Sequence, residues 1–330
     1  NEIYRISEAE ETYKKLSSLN NFKLINIIFS NNKNFYNGLD CNIQLIPTKK
    51  QSVSLEVEGT NTGGNLGVAG NVVYQNVNLF KGFEILKARQ KLSFEMQKVF
   101  EDESKSNIKS YLPFNTFEMG TELSLYLPKF LLPVNPSVFS KYTFPKTILS
   151  SGINYQKRRD YTRYITNLSY GYEWKESIKK THLFYPVEIN SIKINLLNKS
   201  FYEKIKQLYD KQILNSYQDH LIIGAKYSYI YNEQQRSKIA NFRYLRLNYE
   251  MAGNIMWLLN RSFKSVMTDN SYTLFNIHYA QYVKIELDYR YYSYFNKDNI
   301  FDYRFLTGVG VPYGNMNVLP FEKSFFAGGA

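Results

Sequence analysis

The sequence contains a single cysteine, Cys41, only two tryptophans and only three histidines in 330 residues. One cysteine excludes an intrachain disulfide and a cysteine metal site. His182, His220 and His278 lie far apart with no ligand spacing, so a histidine metal centre or a catalytic triad has no motif behind it. Glycine (17) and proline (9) are too few for a low-complexity chain. No run of 18 apolar residues occurs and mean hydropathy is −0.41, which excludes a membrane-spanning helix. It does not exclude membrane strands, because they alternate apolar with polar residues and escape a hydropathy window. Gly63, Gly64 and Gly67 form no phosphate loop, since neither a lysine-hydroxyl pair nor a helix follows them. Carboxylate pairs such as Glu118 with Glu122, or Glu286 with Asp288, read as a solvated wall and not as an acid/base dyad. No catalysis, metal or cofactor is expected.

What the chain has is tyrosine (30) and phenylalanine (23), which together with tryptophan make 17% of it, and a net charge of +12. Amphipathic rings suit the two interfaces of a membrane barrel; a soluble β-rich protein of similar bias would share the composition. The positive charge fits attraction to anionic lipid or lipopolysaccharide head groups, or lysine used as a solubilising residue. Nucleic acid is not an expected partner, for want of a basic helix or an aromatic-basic motif. The one tight basic cluster, Lys157-Arg158-Arg159, reads as a loop tip between two strands.

Residues 1–48 read as a helix and a strand pair. Ser7 and Glu10 have capping-box spacing, and Ala9, Tyr13, Leu16 and Leu19 form one helical face. Strands follow at Leu24–Phe29 and Leu39–Ile46, with a turn at Asn31–Asn34; Cys41 alternates with Leu39, Ile43 and Leu45, which reads as core packing. No signal peptide stands at Asn1, and the chain is expected to open inside a domain. From residue 51 the pattern is almost all strand. Val53, Leu55 and Val57 alternate with Ser52, Ser54, Glu56 and Glu58; Leu66, Val68, Val72 and Tyr74 follow on one face of the next segment; then Asn76, Asn78 and Gly82 mark a turn that also holds Leu79 and Phe80. The clearest run sets Val283, Ile285, Leu287, Tyr289 and Tyr291 against Tyr282, Lys284, Glu286, Asp288 and Arg290. A soluble half-buried strand alternates in the same way. Eleven such strands, many of ten residues or more, favour a lipid-facing wall around a polar lumen, because soluble strands average five or six. Loops at 98–114, 197–218 and 253–276 are long and several of the intervening ones short, although the proline-rich stretch 128–146 breaks that asymmetry. Residues 201–214 read as a helix within a loop.

Two stretches resemble outer-membrane assembly proteins of the BamA/TamA type: Glu58-Gly59-Thr60-Asn61-Thr62-Gly63-Gly64-Asn65-Leu66-Gly67 with the strands around it, and Leu319-Pro320-Phe321-Glu322-Lys323-Ser324-Phe325-Phe326-Ala327-Gly328-Gly329-Ala330. The resemblance implies a mainly β fold. Residues 1–48 would be the C-terminal part of the last POTRA domain, and residues 49–330 the first eleven of sixteen strands of an antiparallel transmembrane barrel. The chain would end in the sixth extracellular loop, before that family's Arg-Gly motif. Localisation would be the outer membrane of a Gram-negative bacterium, with the POTRA part in the periplasm. The implied work is insertion of β-barrel proteins without ATP, by strand addition at a lateral gate and local membrane thinning. Its partners would be unfolded outer-membrane clients, periplasmic chaperones or accessory lipoproteins met by the POTRA domain, the lipid bilayer and lipopolysaccharide. The gate strand would be Val53, Ser54, Leu55, Glu56 and Val57, the periplasmic turn Asn76, Asn78, Leu79, Phe80 and Gly82, and the lumen-docking loop Phe325, Phe326, Ala327, Gly328 and Gly329. A POTRA-barrel secretion pore of the two-partner type is the alternative.

Overall fold

A computed structural model describes residues 4–32, 38–62, 65–96, 114–131, 144–197, 199–207, 211–234, 240–263, 272–274, 277–297 and 299–325. A helix, α1 (Ile6–Ser18), packs on a hairpin of β1 (Phe22–Asn31) and β2 (Leu39–Pro47). Arg5 caps α1 in extended conformation with no side-chain bond, so Ser7 lies inside the helix and the expected capping box does not form there. Cys41 is exposed, not core; every residue of β2 is exposed, because the contacts of α1 fall chiefly on β1. The expected turn residues Lys33 and Asn34 lie outside the described residues.

The rest of the strand is one sheet. It contains β3 (Gln51–Thr62), β4 (Asn65–Val77), β5 (Ile85–Met96), β6 (Thr116–Leu127), β7 (Lys146–Lys157), β8 (Tyr161–Lys175), β9 (Lys180–Leu196), β10 (His220–Asn232) and β11 (Phe242–Ala252). After a short pair, β12 (Thr273–Leu274) and β13 (Ile277–His278), it ends in β14 (Tyr282–Tyr294) and β15 (Ile300–Pro312). Its 11 strands pair antiparallel with their neighbours in chain order, β3 at one edge and β15 at the other. Every strand is longer than ten residues because alternation continues unbroken by proline, save a register shift where β9 passes Pro186.

Following the register across the sheet separates two faces. Ser54, Val73, Arg89, Glu122, Gly152 and Asn167 share one face, and Glu188, Gly224, Glu250, Lys284 and Gly310 continue it. The segment after β15 packs on this inner face. All charged side chains of the eleven strands lie on it except Lys157, Lys180, Lys193 and Arg243. The outer face carries Val53, Leu55, Val57, Leu92, Leu123, Ile153, Leu168, Ile285, Phe305 and Val309, all exposed. The tight cores lie instead on the inner face, at the end of the sheet away from α1. Ile222, Ala252, Ala280 and Tyr282 pack with Met316 and Leu319, and Tyr161, Ile192 and Ile194 pack with Phe201 and Tyr217.

The connection between β9 and β10 at this end carries α2 (Lys199–Gln207) and α3 (Lys211–Ser216) in the stretch 201–214 that the sequence marks as helical; Leu208 and Tyr209 lie outside the described residues. A further helix, α4 (Asn254–Ser262), starts from Gly253 at φ 78°, a left-handed position where an added Cβ would collide with the Ala280 carbonyl.

Candidate functional site

Three features carry the candidate site: the free edge β3, the turn between β4 and β5, and the segment that follows β15.

On β3, Val53, Leu55 and Val57 point to the outer face at 68%, 72% and 73% exposure. Ser54 and Glu56 are on the inner face, opposite Val73 and Asn71 of β4. Among the described strands only β4 pairs with this one, so its other side is an edge of the sheet, where alternate N–H and C=O groups point outward. Gly63 and Gly64 lie outside the described residues.

At the turn, Asn76 is still part of β4, and Asn78, Leu79, Phe80 and Gly82 form the reversal. Asn78 (φ 72°), Lys81 (φ 68°) and Phe83 (φ 64°) are the left-handed residues; Gly82 is not. Glycine at 82 answers a different need, because a Cβ there would collide with Oε1 of Glu84. Two side chains hold the strained backbone. Glu84 Oε2 accepts the amides of Phe80 and Gly82, both at 3.0 Å, and Asn78 Oδ1 accepts that of Phe83 at 3.0 Å. Partial burial alone would raise the Glu84 pKa; the amides of Glu84, Gly82 and Phe80 outweigh it and hold the carboxyl below its ordinary range. Sequence reading placed the turn by its Asn and Gly and missed Glu84, whose role depends on a loop closed in three dimensions.

The segment after β15 returns across the inner wall. A Cβ on Gly310 would stand 2.5 Å from Leu319, and one on Gly308 would stand 2.5 Å from the Phe325 ring, so glycine leaves the space both side chains fill. Phe325 lies 4.3 Å from Lys284 Nζ, a cation–π contact. Glu322 pairs with Arg163 of β8 and meets His220 Nε2 of β10 at 2.8 Å. Lys323 Nζ reaches Glu188 of β9 at 3.3 Å and Glu250 of β11 at 2.5 Å, and the Tyr282 hydroxyl donates to Glu250 at 2.6 Å. Two adjacent residues of opposite charge thus clasp four consecutive strands. Phe326, Ala327, Gly328 and Gly329 lie outside the described residues. The sequence singled out this stretch by its aromatic and glycine residues; the ion pairs went unseen because their partners are up to 159 residues away.

Several other carboxylates of this wall are paired as well. Asp288 binds Arg290 and Arg304, Glu286 binds Lys284 and Asn248, and Glu118 binds Lys91 and Asn154. Arg304, Asn248, Lys91 and Asn154 make these links between neighbouring strands, while Arg290 and Lys284 lie on the same strand as their carboxylates. His220 and His278, distant in sequence, line one cavity of about 400 Å³ with Asp219, Asn315 and Asn317. No group of three potential metal ligands occurs among the described residues.

Aromatic side chains form rows on part of the outer face, one at each end of the strands. Away from α1, Phe94, Phe117, Tyr155 and Tyr164 touch in series across β5 to β8, with centroids 5.3, 6.2 and 5.1 Å apart. At the other end Trp174 stacks on His182 at 5.0 Å, and His182 meets Tyr229 at 5.3 Å. Among solved structures, the chain is similar to the crystal structure of BamA from Haemophilus ducreyi lacking POTRA domains 1-3, with a TM-score of 0.53 and 12% identity, over 98% of this chain and 53% of that one. The sheet has the BamA barrel fold. The chain spans about half the length of that BamA chain. No protein-family model matches the sequence, and no curated protein does.

Proposed function

We propose that this sheet is part of the wall of an outer-membrane β-barrel that inserts other barrel proteins by strand addition at β3. The observation that carries the membrane reading is the charge segregation: across eleven strands the charges line the inner face, while the outer face carries exposed apolar side chains, with aromatic rows at one end of β5 to β8 and at the other end of β8 to β10. Tyr164 and Trp174 stand ten residues apart on β8, about 33 Å along the strand and about 25 Å once the usual barrel tilt of about 40° is applied. That matches the apolar band of outer-membrane barrels, about 25 Å tall. A soluble protein would not leave so wide an apolar face uncovered.

For the assembly reading, β3 supplies the chemistry. An unpaired N–H or C=O in lipid costs several kcal/mol, so a client strand that adds to this edge gains the ladder bonds the edge lacks. Val53, Leu55 and Val57 would face lipid or the gate, and Ser52, Ser54 and Glu56 the lumen. Local thinning of the bilayer would lower the cost of bringing the client strand in, and no nucleotide is needed. In this orientation α1, β1 and β2 belong to a POTRA domain in the periplasm, able to offer a strand edge to clients, chaperones or lipoproteins. The Asn78–Glu84 turn is periplasmic, and the segment Leu319–Phe325 belongs to an extracellular loop docked in the lumen.

Reconstituted full-length protein should speed the folding of an eight-stranded barrel client into vesicles, read by the client's resistance to unfolding in cold detergent. A Leu55→Pro, Glu56→Pro double variant removes an edge donor whichever of the two points outward, and should lose that acceleration while still inserting. Wild-type acceleration by the inserted double variant would refute strand addition at β3.

A further inference from the structure

The outer face of the eleven strands carries only four charged side chains, Lys157, Lys180, Lys193 and Arg243, and all are cationic. At the end near α1 the charges are neutralised within the protein. Lys180 pairs with Glu176 at 2.8 Å, and Arg243 pairs with Glu233 at 3.1 Å. At the far end they are not. Among the described residues, neither Lys157 nor Lys193 has an ion pair or a side-chain hydrogen bond, and both are exposed. Asp219 accepts the Ile194 amide at 2.7 Å, which ties that carboxylate to the backbone beside Lys193.

The two lysines belong to one patch. Lys193 is in register with Tyr164 and Tyr155, the row of the aromatic belt; Lys157 pairs with Thr162, two residues further toward the strand end. Their Cα atoms are therefore roughly 12 Å apart, two strands across and two residues along. Both stems rise from the upper edge of the apolar band, with long flexible chains that carry the ammonium groups toward the membrane surface. Arg158 and Arg159 of the adjoining turn add charge of the same sign; the Arg158 guanidinium lies 5.7 Å over the Tyr161 ring, and its Nε has no hydrogen-bond partner. An apolar wall below, aromatic rings at the boundary and unneutralised ammonium groups just above make a receptor for a lipid with an anionic head group. Burial of the acyl chains against Ile153 and Leu168 would accompany capture of the head-group phosphates by Lys157 and Lys193.

We infer that Lys157 and Lys193 form a binding site for the phosphates of an anionic glycolipid in the leaflet around this end of the barrel. The inference rests on the membrane reading above, in which this end is extracellular; the occupant is then a phosphorylated glycolipid of the outer leaflet. Two cations spaced across the strands fit two phosphates on one head group better than a single phosphodiester. Retention of lipid A on the full-length protein can be titrated by native mass spectrometry, beside lipid A lacking one phosphate and beside phosphatidylethanolamine. Wild-type protein should hold lipid A in preference to both. The Lys157→Gln, Lys193→Gln variant should weaken that retention about 30-fold, while Lys180→Gln, Arg243→Gln leaves it unchanged. Equal retention of all three lipids, or equal losses in the two double variants, would overturn the site. Heat-modifiable migration in detergent shows that each variant is folded. A protein that stays in solution without detergent refutes the membrane reading itself; one that inserts but shows no phosphate preference refutes only this site.

Discussion

Replacing Lys323 by methionine tests whether the ion-paired clasp holds the returning segment on the wall. The ammonium group sits between Glu188 and Glu250, at 3.3 and 2.5 Å, with side-chain exposures of 13% for Lys323, 24% for Glu188 and 12% for Glu250. Methionine keeps most of the stem's volume and removes the charge, so two carboxylates lose their shared partner. Breaking a buried pair from one side costs about 3–5 kcal/mol. Water reaches Glu188, and the Tyr282 hydroxyl still donates to Glu250, so the low end applies, about 3 kcal/mol. At about 1.4 kcal/mol per tenfold, local opening becomes about 150 times more frequent. Hydrogen exchange at the amides of Lys323 and Ser324, which donate to Pro320 and Phe321 at 2.9 and 3.1 Å, reports that opening. Lys323→Arg should preserve most of the protection. Adding Glu250→Gln to Lys323→Met should cost less than the sum of the two single changes, because they share one interaction. Exchange in Lys323→Met within threefold of wild type would refute the clasp. On the pH axis, burial alone would lower the Lys323 pKa, but Glu188 and Glu250 raise it above the ordinary lysine range. Its stabilisation is therefore complete below the unfolded lysine pKa and is lost only as pH rises through the raised value, so the lysine gives no pH dependence near neutrality.

At the β4–β5 turn, Glu84→Gln should lower stability most at neutral pH. The depressed carboxyl contributes above the unfolded glutamate pKa and loses that contribution as pH falls through its own value, so unfolding midpoints of variant and wild type should converge in acid. Gly82→Val should slow folding, because its Cβ displaces the carboxylate that holds the Phe80 and Gly82 amides; folding kinetics equal to wild type would contradict that packing. Gly308→Ala should push the Phe325 ring off the wall, read as faster protease cleavage at Phe325 than in wild type, with Gly59→Ala, which meets open space, as the unaffected control for added bulk.

Long strands with strict alternation were legible in sequence, because a period of two must repeat wherever one face is wet and the other is not. That pattern in Tyr282–Tyr291 needed no neighbour to be read, and it separated Lys284, Glu286, Asp288 and Arg290 from Val283, Ile285 and Leu287 as the sheet does. The Asn78–Gly82 reversal was legible for the same local reason. Its geometry was not: positive φ falls on Lys81 and Phe83, which tolerate it only because Glu84 and Asn78 bind the surrounding amides.

The sequence by itself determined which residues are strand, where the chain reverses and which side chains share a face, since those follow from spacing along one chain. Tertiary structure alone decided which charges meet. Nothing local to Glu322 and Lys323 selects Arg163, His220, Glu188 and Glu250; they become neighbours only once four strands stand side by side in register. The same holds for the outer-face lysines: pairing in register puts Lys193 in the row of Tyr155 and Tyr164, and leaves it and Lys157 without the carboxylates that neutralise Lys180 and Arg243.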